Sequence, residues 1–353
     1  MKITVVTVHD SANFGSYLQA YAMKYFLEKR GHEVSFAITR DKKYVKSLFY
    51  SLRPTKWWVR YPFKTIKSIT GGIKKYKVFQ KELSAFTEVS ATEEADAVIL
   101  GSDEIWNVKT HVFTSPLFYG ENCENVVAYA VSAGHATAND IKNYPNLCSL
   151  IKKLHSPLVR DENTSDCVEE ITGVKPSVVC DPTLLVEKEC FHREYTNSYL
   201  EKYSCLGVYT YELEPSIVKV IKDFARKHGL KLVSVGFQRN WCDKSILCSP
   251  MDFCGVMEKL KYVITTTFHG SIFSVLNHKQ FISLPYSLKT TDVLKRVGLD
   301  HRIINYEDLS VDALDEKMFS NNIDYTAVDK KIAEMRLLSA KLLEERLKEY
   351  DNL

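Results

Sequence analysis

A chain of 353 residues, 45% hydrophobic and 26% charged, has room for two ordinary domains and ample material for their cores. No apolar run approaches the roughly 20 residues of a membrane span, and the opening MKITVVTVHD reads as a short strand rather than a signal peptide, so a cytoplasmic location is expected. The nine cysteines form no CxxC pair, and an odd count is a poor disulfide framework; Cys242, Cys248 and Cys254 recur every six residues without a nearby His, which gives no expectation of a metal.

Taken in order, Ile3 to Val8 is the first strand, HDSANFGS a loop, and a helix is predicted from about Tyr17 to Lys29 with Gly31 as its C-cap. HEVSFAI is the second strand, so the chain opens as a βαβ unit with a parallel sheet. The net charge of +3 hides an asymmetry: between Arg40 and Lys81 stand thirteen lysines and arginines against one acid, Asp41. Trp57, Trp58, Phe49, Tyr50, Tyr61 and Phe63 are interleaved with them. Such a segment suits nucleic acid, an anionic membrane surface or a phosphorylated substrate, or it is a solvated, mobile insertion.

Beyond it, Ala97–Leu100 is a buried strand ending at Gly101, NVVAYAVSAG another, and SPLVRDENTSDCVEEITG a strand ending near Arg160 followed by a helix. SVVCDPTLLV gives a strand ending at Asp181. After about residue 190 the alternation restarts: CLGVYTY, a helix over Pro215 to Lys227, KLVSVGF, a helix over Pro250 to Lys259, YVITTT, a turn at His269 and Gly270, a helix from Ile272, and QFISLP. A long amphipathic helix runs from about Thr326 to Tyr350. The fold class expected is α/β, two Rossmann-like parallel-sheet domains in a GT-B-like arrangement with a C-terminal helix. The domains are placed at residues 1–188, which carry the basic insertion 40–81, and 189–353. Ligands of such sheets bind at the carboxyl ends of the strands.

The loops that carry chemistry fall at those ends. Asn13, Phe14 and Gly15 precede the first helix; Ser102, Asp103 and Trp106 follow one strand; Arg160, Asp161 and Glu162 follow another. His269 stands where a strand passes into a helix, beside the free N–H groups that favour an anion, and Gly270 lets a ligand approach. Each residue also has a plain reading: His269 as a hydrogen-bonding strand end, Arg160 in a salt bridge to Asp161 or Glu162, Asp103 as N-cap of a helix holding Trp106, Asn13 and Gly15 as turn formers, and Asp181 before Pro182 as a support of the domain junction.

Six segments in order, NFGSYLQAYAMKYFLEKRGHEV, VILGSDEIWN, YAVSAG, VRDENTSD, VVCDPTLL and ITTTFHGSIFSVLNHKQF, resemble the polysaccharide pyruvyl transferase family over roughly residues 3 to 300. The resemblance implies a GT-B-like fold and transfer of pyruvate from phosphoenolpyruvate to a sugar, as a ketal. It implies that Arg160 and His269 are the residues important for activity. Arg160, Gly270, Ser271 and Lys289 are then expected around the donor, and Asn13, Phe14, Gly15, Ser102, Asp103 and Trp106 around a sugar or lipid-linked oligosaccharide acceptor. No cofactor, metal or nucleic acid is called for. Two departures stand out: SLKTTDVLKRVGL, with Lys289, replaces the family's Ser-Arg pair, and YAVSAG replaces the commoner YAASFG. With a lipid-diphosphate precursor the basic segment is expected to dock on an anionic membrane face or to cover the diphosphate. The competing readings are a GT-B-type glycosyltransferase using a nucleotide sugar and a non-catalytic glycan-binding protein.

Overall fold

The computed structural model describes residues 1–40, 62–90, 94–285, 287–320 and 322–350, and within 62–69 the backbone alone. Two parallel sheets organise it. The first has seven strands, β1 (Lys2–Val6), β2 (Glu33–Ala37), β3 (Glu88–Val89), β4 (Ala97–Leu100), β5 (Val126–Val131), β6 (Leu158–Val159) and β7 (Ser177–Val178), in the order β3-β2-β1-β4-β5-β6-β7. The second has five, β8 (Cys205–Tyr209), β9 (Lys231–Val235), β10 (Lys244–Ile246), β11 (Tyr262–Thr265) and β12 (Gln280–Ser283), in the order β10-β9-β8-β11-β12. Within each sheet the strands pair in parallel, as βαβ crossovers require. In both sheets the strand order reverses beside the first strand, between β1 and β4 and between β8 and β11. Crevices at such reversals are where α/β sheets take ligands. The expected two-sheet, GT-B-like α/β architecture is the one observed.

The helices that frame the cleft are α1 (Phe14–Glu28), α2 (Pro62–Leu83), α3 (Glu162–Thr172), α4 (Pro182–Leu185), α5 (Pro215–Lys227), α6 (Phe253–Lys259), α7 (Phe268–Leu276), α8 (Leu288–Arg296) and α9 (Tyr325–Lys348). Two of them begin earlier than the sequence pattern suggests. Asn13 caps α1 by accepting from Gly15 N at 2.9 Å, so that helix starts at Phe14 and not near Tyr17. Thr267 caps α7 through Gly270 N at 2.9 Å, so His269 and Gly270 lie in its first turn and not in a turn before it.

The core is continuous across the two halves. Phe14 stacks on Phe79 of α2 at 5.2 Å and on Phe253 of α6 at 4.8 Å, and its ring closes against Gly236, where a Cβ would stand 2.2 Å away. Helix α9 crosses back to the first half. Ser339 Oγ accepts from Cys180 N at 2.9 Å and Arg336 Nε donates to the Leu184 carbonyl at 2.9 Å.

Much of the basic segment is outside the described residues, including Trp57, Trp58, Phe49, Tyr50 and Tyr61. What is described is built in: Arg40 is buried in an ion pair with Asp10, and 62–83 is helix α2, held to the second half by Glu82 and Arg193 at 2.7 Å. Among the described residues no helix is long and apolar enough to cross a membrane.

Candidate active site

A buried carboxylate is the centre of the cleft. Asp181, three residues past the end of β7, caps α4: its Oδ1 accepts from Thr183 N at 2.9 Å and Thr183 Oγ1 at 2.7 Å. Its Oδ2 accepts from Arg160 Nη1 at 2.9 Å and Ser102 Oγ at 3.3 Å. From the other half, His269 Nε2 stands 3.7 Å from Asp181 Oδ1. The side chains of Asp181 and Arg160 are 0% and 2% exposed, which makes the pair dry. Burial alone would raise the Asp181 carboxyl; the His269 imidazole and then the Arg160 guanidinium outweigh it and hold it well below the ordinary carboxylate range. Arg160 is held charged in turn: burial works against the guanidinium, and Asp181, Asp103 and Asp161 more than offset it.

The sequence assigned Asp181 to the domain junction and gave Arg160 a plain partner in Asp161 or Glu162. The structure keeps Asp181 at the junction, between Arg160 of the first half and His269 of the second, and gives Arg160 a different partner. Asp161 accepts from Ser132 Oγ at 2.7 Å and caps α3 through Thr164 N, while Arg160 reaches across to Asp181. Asp181 is therefore the member of this cluster that the sequence reading left out of the site. The signal available was its place at a strand's carboxyl end, the position it shares with Arg160 and the His269 turn.

Arg160 keeps Nε and Nη2 buried without a hydrogen-bond partner, and His269 Nε2 is likewise unsatisfied. Unpaired buried donors are expensive, and here they cluster in one crevice where strands of both sheets end. Phe268 lines it, with the Arg160 guanidinium 5.1 Å and the Lys289 ammonium 5.5 Å from its ring centroid. Lys289, on α8, forms a buried ion pair with Glu104 of the first half, and Glu104 also accepts from Asn107 Nδ2 at 3.0 Å. Burial would raise Glu104, and Lys289 overrides it, bringing the carboxyl down to about 2. The donor-side lysine is thus already neutralised by an acid across the cleft.

The tightest contact is with Gly15. A Cβ there would lie 1.9 Å from His269 Nδ1, so the imidazole rests on the bare backbone of α1. Gly15 and His269 come together as one unit, and Ser102 joins them through Asp181. Asp103, with φ 77, does not cap a helix holding Trp106; no such helix forms, and its carboxylate accepts from Ser16 Oγ at 2.6 Å. Asn13 is exposed at the mouth, its Oδ1 committed to capping.

Four expected contacts are not available to a ligand. Trp106 is fully buried, donates Nε1 to the Phe118 carbonyl at 2.9 Å and stacks on Tyr119. Phe14 is enclosed between the halves as described. Ser271 is buried with its hydroxyl 3.1 Å from Ser283 Oγ. Gly270 gives its N–H to the cap, and a Cβ on it would meet Thr265 Oγ1 at 2.1 Å; its small size serves helix-to-strand packing. Among the described residues no group of three or more His, Cys, Asp or Glu side chains converges as metal ligands.

With this geometry in hand, the comparisons decide the family. A model of the polysaccharide pyruvyl transferase family matches residues 13–287, a span holding Gly15, Ser102, Arg160, Asp181 and His269. The chain belongs to that family. No curated protein matches it. Among solved structures, a putative UDP-N-acetylglucosamine 2-epimerase from Listeria monocytogenes is similar over 100% of this chain and 97% of its own, at 13% identity and a TM-score of 0.57. The UDP-N-acetylglucosamine 2-epimerase from Rickettsia bellii is similar over 99% and 96%, at 10% identity and a TM-score of 0.56. At those identities the likeness is one of fold: this pyruvyl transferase family member has the two-sheet GT-B-like architecture of these enzymes.

Proposed function

We propose that the protein transfers the pyruvyl group of phosphoenolpyruvate to a sugar of a surface polysaccharide precursor, forming a pyruvate ketal. The observation that carries this reading is the Arg160–Asp181–His269 constellation, with two buried guanidinium nitrogens left unpaired beside a titratable imidazole. Phosphoenolpyruvate brings a carboxylate and a phosphate, and an arginine fork binds such planar oxyanions in two-point fashion.

The chemistry needs a proton delivered to the donor's methylene carbon. That leaves a cation-like centre at C2, which a sugar hydroxyl attacks. The bond from C2 to the phosphate oxygen then breaks, and a second hydroxyl closes the ketal. Two hydroxyl protons are lost; one balances the proton placed on the methyl group and one leaves with phosphate. A single acid–base group near neutrality serves both steps, and His269 is the residue of that type in the cleft. Asp181 positions the imidazole and keeps Arg160 charged without itself exchanging protons. Gly15 fixes the ring from the opposite side.

The acceptor enters from the side of Asn13 and Ser102. A polybasic segment that docks on an anionic surface fits a lipid-linked acceptor at the inner membrane face and a cytoplasmic enzyme. Incubation with phosphoenolpyruvate and a panel of lipid-linked glycans, followed by phosphate release, tests the reading. Release that depends on both partners supports it; no release with any glycan, together with turnover of a nucleotide sugar, replaces it by glycosyl transfer.

A further inference from the structure

A second group of cations lies at the carboxyl ends of β8 and β9, away from the residues given roles above. Helix α2 turns Gly71, Lys75 and Phe79 to one side, at spacings of four. Phe79 is fully buried on Phe14, and Gly71 packs on Gln238, whose Cβ would stand 3.4 Å from a Cβ at that position. Between two such positions packing calls for an apolar side chain, yet the residue is a lysine. Its ammonium stands 4.6 Å from the Phe237 centroid and 5.1 Å from that of Phe14. No described carboxylate pairs with it, and burial pushes it down to about 8. The opposite side of the crevice holds Arg239, whose guanidinium is 5.4 Å from the same Phe237 ring. Arg239 donates to the Thr210 carbonyl at 3.0 Å and pairs with Glu212, whose side chain is 76% exposed. Thr210, 1% exposed, keeps its Oγ1 buried without a partner, as Arg239 keeps Nε.

Two cations share one aromatic ring here, and the Glu212 carboxylate at the surface offsets only one of them, so the crevice keeps an excess positive charge. Both are held in place by packing in a partly desolvated crevice that also holds an unused hydroxyl. A small, multiply charged oxyanion matches that set: the lysine supplies a point charge, the arginine a fork, the threonine a further donor. We infer that Lys75, Arg239 and Thr210 form a second anion subsite that binds a diphosphate group. It deepens the pyruvyl-transfer reading, on which it rests for the role of that ligand, by giving the acceptor a sugar diphosphate whose charged end is gripped here. Helix α2, the described part of the basic segment, then carries the recognition of that end.

Calorimetric titration of the full chain with inorganic pyrophosphate tests this. Lys75→Met keeps the apolar stem and removes the charge; Arg239→Gln changes a residue whose partner is at the surface. Each is expected to weaken pyrophosphate at least tenfold with an unchanged thermal midpoint, while Arg160→Lys leaves it within twofold. Saturating phosphoenolpyruvate should not displace it. Uridine diphosphate, titrated in parallel, reports the source: equal affinity points to a sugar acceptor's diphosphate, tenfold tighter binding to a nucleoside diphosphate, and both support the site. No binding by the unaltered chain, wild-type affinity in both variants, or displacement by phosphoenolpyruvate would overturn it. If pyrophosphate binds as described while phosphoenolpyruvate binds nowhere, the donor assignment fails and this subsite stands.

Discussion

At the scale of single residues, the account rests on how His269 is held. Replacing it with Ala removes the acid–base group, so turnover should fall by about 10²–10⁴-fold with the fold retained. Steady-state kinetics and circular dichroism check this, and a variant within threefold of the parent would remove His269 from the chemistry. Gly15→Ala separates function from stability more sharply. Ala is favoured over Gly in a helix by about 1 kcal/mol, and Gly15 lies in the first turn of α1. Its Cβ would nevertheless collide with the imidazole, only 1.9 Å from Nδ1. The expectation is a stable protein with turnover reduced at least tenfold; full activity would mean that the ring does not rest on Gly15. Arg160→Lys preserves charge and loses the fork, and should weaken phosphoenolpyruvate tenfold or more by calorimetry. Equal affinity would leave Arg160 a structural partner of Asp181.

Of these contacts, the sequence displays the types and not the pairings. His269 and Arg160 are legible because each follows a β-rich run, where α/β sheets take ligands. Asp181 has the same placement but is masked by Pro182, which gives it an adequate structural reason to exist. That Arg160 chooses Asp181 over its neighbour Asp161 depends on which carboxylate α3 uses as its cap, a tertiary fact. Trp106 misleads for the opposite reason: an aromatic in a polar loop reads as a sugar platform, yet this loop folds inward and uses the ring as its own core.

Among elements, the contact between Glu104 and α8 joins the halves through a buried ion pair. The carboxyl of Glu104 is lowered from 4.5 to about 2. Its contribution to stability is therefore complete above about pH 4.5 and is lost as pH falls toward about 2. Glu104→Gln should flatten that part of the acid-unfolding curve, and denaturant midpoints measured between pH 5 and 2.5 will show it. The same steepness in both proteins would mean that the pair adds nothing to holding the halves together. The basic segment divides at this scale as well. Its lysines suggest a solvated insertion, and within 62–83 the chain is instead a helix whose inner face closes on both halves. Thirteen like charges obscure a three-residue stripe, because Gly71 and Phe79 are the only members of it that look buried by type.

For the whole molecule, the alternation of β-rich runs and helical spacing from residue 3 to Pro285 is enough to specify two parallel sheets. The central strands β4, β5 and β8 are buried on both faces and read as continuous apolar runs. The short edge strands β3 and β10 lack such a run, and the return of α9 to the first half leaves no mark in local pattern. The architecture divides the groups of the proposed site: Arg160, Asp181 and Ser102 arrive on the first sheet and His269 on the second, so that site exists only where the halves meet. The measurement that bears most directly on this account is a reaction of the unaltered protein with phosphoenolpyruvate and a glycan acceptor in deuterium oxide. The account expects phosphate and ketal in equal amounts, with one deuterium in the new methyl group, and both products formed about 10²–10⁴-fold more slowly by His269→Ala. A glycan that gains a sugar from a nucleotide donor, or a ketal methyl without deuterium, would contradict it.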